Sequence, residues 1–66
     1  MIITGFRTRN TTYRLSLNNR LVWGGKIGSK PRQYYNARVI VGCPAVFYFC
    51  DGGMMQTSSV TEYVYE

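Results

Sequence analysis

Apolar and polar residues alternate along much of this chain, and turn-forming residues interrupt the alternation every few positions. Tyr13, Leu15 and Leu17 alternate with polar neighbours, which is the period of a β-strand with one buried face. The Asn18-Asn19 pair then predicts a two-residue hairpin turn, because asparagine tolerates positive φ angles. We expect the chain to return antiparallel over residues 21–23. No part of the pattern requires a helix, so the sequence predicts an all-β fold.

Other parts of the chain have the composition of strands or of connections. Further strand candidates lie at 2–6, 34–41, 45–50, 54–59 and 60–65; residues 34–41 are rich in β-branched and aromatic residues, and residues 60–65 alternate. Residues 45–50 have no polar position except a tyrosine hydroxyl, so we expect both faces of that strand to be covered. Residues 24–32 hold three glycines, one proline and three cations, and are expected to form the longest loop. These elements predict one small β domain over residues 1–66, with five or six short antiparallel strands curled into a small barrel or a strongly twisted sheet.

Length and composition argue against an enzyme. A chain of 66 residues buries only about 60% of the surface exposed on unfolding, so no deep substrate cavity is expected. The chain has no histidine, and its only acidic side chains are Asp51, Glu62 and Glu66, which leaves no recognisable triad, metal-ligand set or cofactor motif. Cys43 and Cys50 are expected to be buried thiols. We therefore predict a non-enzymatic protein with no catalytic residues, no metal and no cofactor.

The first residues and the apolar runs bear on location. Residues 1–7 lack the basic region and the apolar stretch of a signal peptide. No apolar run approaches the roughly 18 residues of a membrane span. The expectation is a cytoplasmic protein with no membrane partner. A homo-oligomer joined through an unpaired edge strand is a further possibility.

Positive charge is concentrated in the first part of the chain. All eight cations lie from Arg7 to Arg38, whereas the three acids lie from Asp51 onward, and the net charge is +5. Unless the fold mixes these segments evenly, one surface will be strongly positive and will favour phosphate groups or an acidic partner. The glycine-rich segment 24–32 lacks the Gly-Lys-Ser/Thr ending of a nucleotide-binding loop, and is better interpreted as a basic arm or a solvated connection.

Aromatic residues are interleaved with these cations, a pairing typical of surfaces that stack bases while cations follow the phosphates. The candidate contacts to a partner or to nucleic acid are Arg7, Arg9, Arg14, Arg20, Trp23, Lys26, Lys30, Arg32 and Tyr34. The cations would contact phosphates, and Trp23 or Tyr34 would stack bases. Equally, both aromatic side chains could belong to the core. Met54 and Met55 either fill the core or, if exposed, anchor a protein partner.

Three short runs carry a resemblance to known proteins. Residues 8–13, 42–47 and 57–60 resemble short uncharacterised proteins encoded by bacteriophages and prophages, a group similar in size and setting to anti-CRISPR proteins. The resemblance implies a small inhibitor or adaptor that docks through its basic face on a host protein or nucleoprotein complex. The charge pattern favours an alternative, a small β-barrel that binds DNA or RNA. Both hypotheses remain open on the sequence.

Overall fold

Six antiparallel strands form a closed barrel in the computed structural model, which describes all residues from Met1 to Glu66. The strands are β1 (Ile3–Thr8), β2 (Thr12–Ser16), β3 (Leu21–Trp23), β4 (Arg32–Arg38), β5 (Pro44–Phe49) and β6 (Met54–Tyr65). Each strand pairs with the next, and β6 returns to pair with β1. The predicted all-β fold with a small barrel is confirmed.

The barrel closes because β6 is long and bends. Its first half pairs with β5 and its second half with β1. Between these halves, Thr57 and Ser58 lie opposite the single residue Ala45, so β6 carries a bulge, and a bulge bends a strand. The two strand candidates at 54–59 and 60–65 are therefore one strand. Every strand has a neighbour on each side, although β3 and β4 pair only through residues 21–22 and 32–33; a homo-oligomer stays a prediction.

Aromatic rings fill the barrel. Phe6 stacks on Tyr13 with ring centroids 4.9 Å apart and on Phe47 at 5.9 Å. Tyr34 meets Phe47 edge-on at 5.2 Å. The buried cluster comprises Phe6, Tyr13, Leu15, Val22, Tyr34, Ala45, Phe47, Phe49 and Val60. Each wholly buried phenylalanine contributes about 1.5–3 kcal/mol to the free energy of unfolding.

Close approach between β1 and β2 depends on Gly5. This buried residue pairs with Arg14 on β2 and with Val64 on β6. A Cβ atom at position 5 would overlap the backbone carbonyl oxygen of Tyr13. The two strands can therefore pack at this distance only with glycine there.

The fifth strand differs from its expected burial. Ala45, Phe47 and Phe49 are buried, but Tyr48 is 38% exposed, because a single-layered barrel covers only its inner face. Cys43 and Cys50, at the two ends of this strand, are both exposed rather than buried. The expectations of a strand covered on both faces and of buried thiols are wrong.

Two connections also differ from expectation. Ser16 pairs with Leu21, so the β2–β3 turn has four residues, and its positive φ of 53° falls at Arg20 rather than at an asparagine. The longest loop, 24–31, contains one 3-10 turn at Gly25–Ile27, whose Ile27 packs against the core. The contact of Ile27 with the core favours a 3-10 turn in this loop, whereas the composition had indicated an irregular segment. That single turn is the only helical segment, and no helix has the length and apolarity of a membrane span.

Candidate nucleic-acid interface

The strand directions sort the loops onto two ends of the barrel. Successive antiparallel strands run in opposite directions, so loops 9–11, 24–31 and 50–53 share one end. We call it the basic end, because it carries Arg9, Lys26 and Lys30. Loops 17–20 and 39–43 lie at the other end with both termini. We call it the apolar end, for the cavity described below.

Next to the basic end, the outer surface of β1–β3 presents two arginines and a tryptophan. Arg7 on β1 pairs with Thr12 on β2. Two residues further along β2, Arg14 pairs with Trp23 on β3. The Arg14 Cζ atom lies 5.8 Å from the Trp23 ring centroid, within the range of a cation–π interaction. Trp23 is level with Gly5 on β1, two residues from Arg7. With strands about 4.8 Å apart and about 3.3 Å per residue, the backbones of Arg7 and Trp23 are separated by about 12 Å.

Six of the nine predicted site residues therefore lie in one part of the molecule, on the outer surface of β1–β3 or in the loops of the basic end beside it. We name this part the basic face; it comprises Arg7, Arg9, Arg14, Trp23, Lys26 and Lys30. Its five cations make no salt bridge, because the only ion pair in the structure joins Arg32 and Asp51. Trp23 is half-buried and the cations are exposed. The face can thus offer both charge and a supported planar group to a ligand.

Arg32 is engaged in the barrel itself. Its guanidinium lies 3.8 Å above the Phe49 ring centroid, and Nη2 donates to the Asp51 carboxylate oxygens at 2.9 and 2.8 Å. The backbone N–H of Gly53 also donates to this carboxylate, and this bond, together with those from Arg32, lowers the pKa of Asp51. Arg32 therefore closes the turn after β5 and has less capacity for a phosphate than the free cations.

Two other predicted residues lie away from the basic face. Tyr34 is 7% exposed and sits in the core against Phe47, so it cannot stack on a base; this prediction is wrong because β4 turns its side chain inward. Arg20 lies in the β2–β3 turn at the apolar end. Burial raises the pKa of the Tyr34 hydroxyl, and the Arg20 charge partly offsets that rise, which shows that these two groups influence each other.

The acids are less segregated than the sequence suggests. Barrel closure brings β6 beside β1, so Glu62 lies directly opposite Arg7. Asp51, as described, holds Arg32. Opposite charges in paired positions attract weakly on an exposed sheet. Glu62 therefore marks one boundary of the basic face.

A polar depression of about 320 Å³ opens at the basic end. Its walls come from the β1–β2 loop, the 3-10 turn and β6, and include Asn10, Thr11, Lys26, Gln56 and Ser58. Hydroxyl and amide groups beside an ammonium group are suited to hydrogen-bonding an anion such as phosphate. The depression extends the basic face onto the end of the barrel.

The outer surface of β4–β6 carries exposed apolar groups that the site prediction omitted. Tyr35 is 59% exposed and Met54 57% exposed. Tyr48 pairs with Met54 and lies 6.2 Å from the Tyr35 ring, centroid to centroid. Tyr35 is the extra residue of a bulge in β4, since Tyr34 pairs with Phe49 but Asn36 with Tyr48. In the sequence, the adjacent residues Met54 and Met55 indicated this surface. No sequence feature indicated the bulge that exposes Tyr35.

The apolar end contains a second feature that the sequence did not reveal, an open cavity of about 450 Å³. Its lining includes exposed Tyr35 as well as buried Phe47, so it opens to solvent and is not the deep cavity that the chain length argued against. No group of three or more His, Cys, Asp or Glu side chains is placed to hold a metal ion. Comparison of the chain with protein-family models, curated proteins and solved structures finds no match.

Proposed function

We propose that this protein binds single-stranded nucleic acid on its basic face. The observation that carries the proposal is the Arg14–Trp23 pair, with Arg7 one strand away and none of the cations on this face in a salt bridge. Single-strand binding requires cations that follow the phosphates and planar groups on which bases stack. The basic face supplies both within a few ångströms.

Electrostatics favour a polyanionic ligand. The net charge of +5 is carried by a body of only 27 × 23 × 20 Å. Five unpaired cations occupy the basic face and the end adjoining it. Such a concentration of one sign attracts phosphate groups and accelerates encounter at low ionic strength.

The stacking geometry favours an unpaired base. The guanidinium of Arg14 lies over Trp23, and a guanidinium supported in this way presents a flat surface to a nucleobase. Bases of a duplex are stacked on each other and are not free to make this contact. The barrel also offers no helix or projecting ribbon of the kind that enters a major groove.

The test is fluorescence anisotropy of labelled single- and double-stranded DNA and RNA over a series of salt concentrations. We expect saturable binding to single strands, with log K falling linearly against log salt by about 0.7 per phosphate contact. The Arg7→Ala/Arg14→Ala variant should lower this slope by about 1.4. Arg20→Asn/Arg38→Ala is the matched control, because it removes the same charge from exposed positions outside the basic face, and asparagine tolerates the φ of 53° at position 20.

The Arg14→Lys variant distinguishes the contribution of base stacking to affinity from the contribution of positive charge. It keeps the positive charge but removes the planar group, so affinity should fall while the salt slope stays unchanged. No binding by the wild-type protein at low salt would overturn the proposal. Equal losses in the Arg7/Arg14 and Arg20/Arg38 double variants would show that net charge, and not this face, determines binding.

A second candidate function is docking on a host protein or nucleoprotein complex, which is what the resemblance to short uncharacterised phage-encoded proteins implies. The exposed cluster of Tyr35, Tyr48 and Met54 favours it, since clustered apolar groups are characteristic of protein interfaces. Such a complex should persist at high salt and after nuclease treatment. The Tyr35→Ser/Met54→Ser variant should lose it, whereas the Arg7→Ala/Arg14→Ala variant should retain it.

A further inference from the structure

The cavity at the apolar end has the size and lining of a small-molecule site. Its volume is about 450 Å³, and nine of its eleven lining residues are hydrophobic. They include Ile3 on β1, Leu15 on β2, Ala37 on β4 and Tyr63 on β6. Ligand sites of about 300–1,000 Å³ with few polar groups occur in the mouths of β-barrels. This cavity lies at the end of the barrel opposite Lys26 and Lys30.

One charged side chain lines this cavity, that of Arg20. Its backbone is fixed, because the Arg20 carbonyl accepts a hydrogen bond of 2.9 Å from the Tyr34 N–H. No carboxylate lies within ion-pair distance of its guanidinium, since the single salt bridge is at the other end. Glu66 borders an adjoining depression, which shares Ile3, Leu15 and Leu17 with the cavity. The mouth therefore presents one unpaired cation beside apolar walls.

The Tyr34 hydroxyl is a second polar group available to a ligand there. The ring is buried against Phe47, yet the hydroxyl forms no hydrogen bond within the protein. No wholly buried polar side-chain atom lacks a partner, so this hydroxyl must reach accessible space. Tyr34 lines only this cavity, which places its donor at the same mouth as Arg20.

We infer that the apolar end binds a medium-chain carboxylate, whose alkyl chain occupies the cavity and whose carboxylate accepts hydrogen bonds from Arg20 and Tyr34. The alkyl chain gains the transfer free energy of leaving water among Leu15, Ala37 and Tyr63. The cavity should prefer an anionic head group for two reasons. A neutral head group would leave Arg20 without a charged partner, and a cationic head group would be repelled by the Arg20 charge. This inference is independent of nucleic-acid binding.

The experiment is a titration of isotope-labelled protein with octanoate at neutral pH, followed by proton–nitrogen correlation NMR. We expect saturable shifts at amides around the mouth, such as Leu17, Asn36 and Val39, and none at Arg7 or Arg14. Octan-1-ol has the same chain without the charge, and should bind about tenfold more weakly because the charge-assisted hydrogen bonds are missing. Octylammonium should bind more weakly still.

Three variants test the assigned contacts. Arg20→Asn removes the cation but tolerates the φ of 53°, and should lower octanoate affinity about tenfold. Arg38→Asn is the matched control, since it removes one charge from an exposed residue that does not line the cavity, and should leave affinity unchanged. Ala37→Leu should fill the cavity and abolish binding, with thermal unfolding confirming that the barrel remains folded.

Several outcomes would overturn the inference. One is the absence of saturable shifts at the mouth with wild-type protein. Another is equal affinity for octanoate and octan-1-ol, which would identify a neutral apolar occupant. Undiminished binding by Ala37→Leu would place the ligand elsewhere. Shifts of the same amides with protein concentration alone would identify a second copy of the chain as the occupant.

Discussion

The Thr57 hydroxyl completes the bulge that allows β6 to close the barrel. Two residues of β6 face Ala45 at this point, so the Ala45 N–H has no carbonyl partner in the regular ladder. Thr57 Oγ1 accepts from this N–H at 3.1 Å and donates to the Ser58 carbonyl at 2.7 Å. Ala45 is wholly buried. Without the hydroxyl, water cannot reach this donor to replace the bond.

Thr57→Val removes the hydroxyl and keeps the branched shape. An unsatisfied buried donor costs about 1–3 kcal/mol, and the added methyl group returns at most about 0.8 kcal/mol. The expected loss in the free energy of unfolding is therefore about 1–2 kcal/mol. For a domain of this size, the unfolding temperature falls by about 4–8 °C per kcal/mol, so a decrease of about 5–15 °C is expected.

Circular dichroism during thermal and urea unfolding measures this loss, and hydrogen exchange locates it at the Ala45 amide. Thr57→Ser is the matched control, because it keeps the hydroxyl and loses only a methyl group, at about 0.8 kcal/mol. The stability order should be wild type, then Thr57→Ser, then Thr57→Val. A Thr57→Val protein at least as stable as Thr57→Ser, with the Ala45 amide still protected, would refute the role given to this hydrogen bond.

Three other perturbations have defined outcomes. Gly5→Ala should destabilise the barrel by about 1–3 kcal/mol in urea unfolding, because its Cβ overlaps the β2 backbone. Hydrogen bonding lowers the pKa of Asp51, so the ionised carboxylate stabilises the fold above about pH 4, and this stabilisation is lost as pH falls through the lowered pKa. Asp51→Asn should remove this part of the pH dependence of the free energy of unfolding. An unchanged pH profile in the variant would contradict the role given to Asp51. Cys43 and Cys50 flank a six-residue strand, which holds them about 20 Å apart, too far for a disulfide within one chain. Oxidation should therefore give disulfide-linked dimers and higher oligomers on non-reducing gels, and a monomer with an internal disulfide would contradict this geometry.

Local alternation predicted the strands well, and failed where position within the barrel decides burial. Tyr13 and Leu15 are buried as their spacing predicts. Leu17 continues the same pattern but is 50% exposed, because β2 ends at Ser16. Strand 45–50 has an apolar outer side with no second layer to cover it. A periodic pattern identifies a face, but not whether another part of the chain covers that face.

The candidate site depended on strand bounds that composition could not provide. Chain order alone predicted a positive surface, and six of the nine proposed residues share it. Arg32 was interpreted as the end of a loop, whereas β4 begins there and the residue stacks on Phe49. Its neighbour two positions on, Tyr34, then lies on the inner face. A shift of two residues in the start of one strand thus changes two predicted ligand contacts into structural groups.

The unequal lengths of the connections explain why the two ends of one small barrel differ in chemistry. At the basic end, the eight-residue connection 24–31 folds against the barrel. Gly24 permits this with a φ of 118°, where a Cβ would lie 2.8 Å from the Thr12 carbonyl oxygen, and Ile27 reaches the core. The β2–β3 turn at the apolar end has four residues, too few to cover the interior in the same way. Because filling one end uses the cation-bearing loop, Lys26 and Lys30 lie at the opposite end of the barrel from the cavity, where Arg20 is the one cation. A substitution at either end can therefore be tested without altering the other.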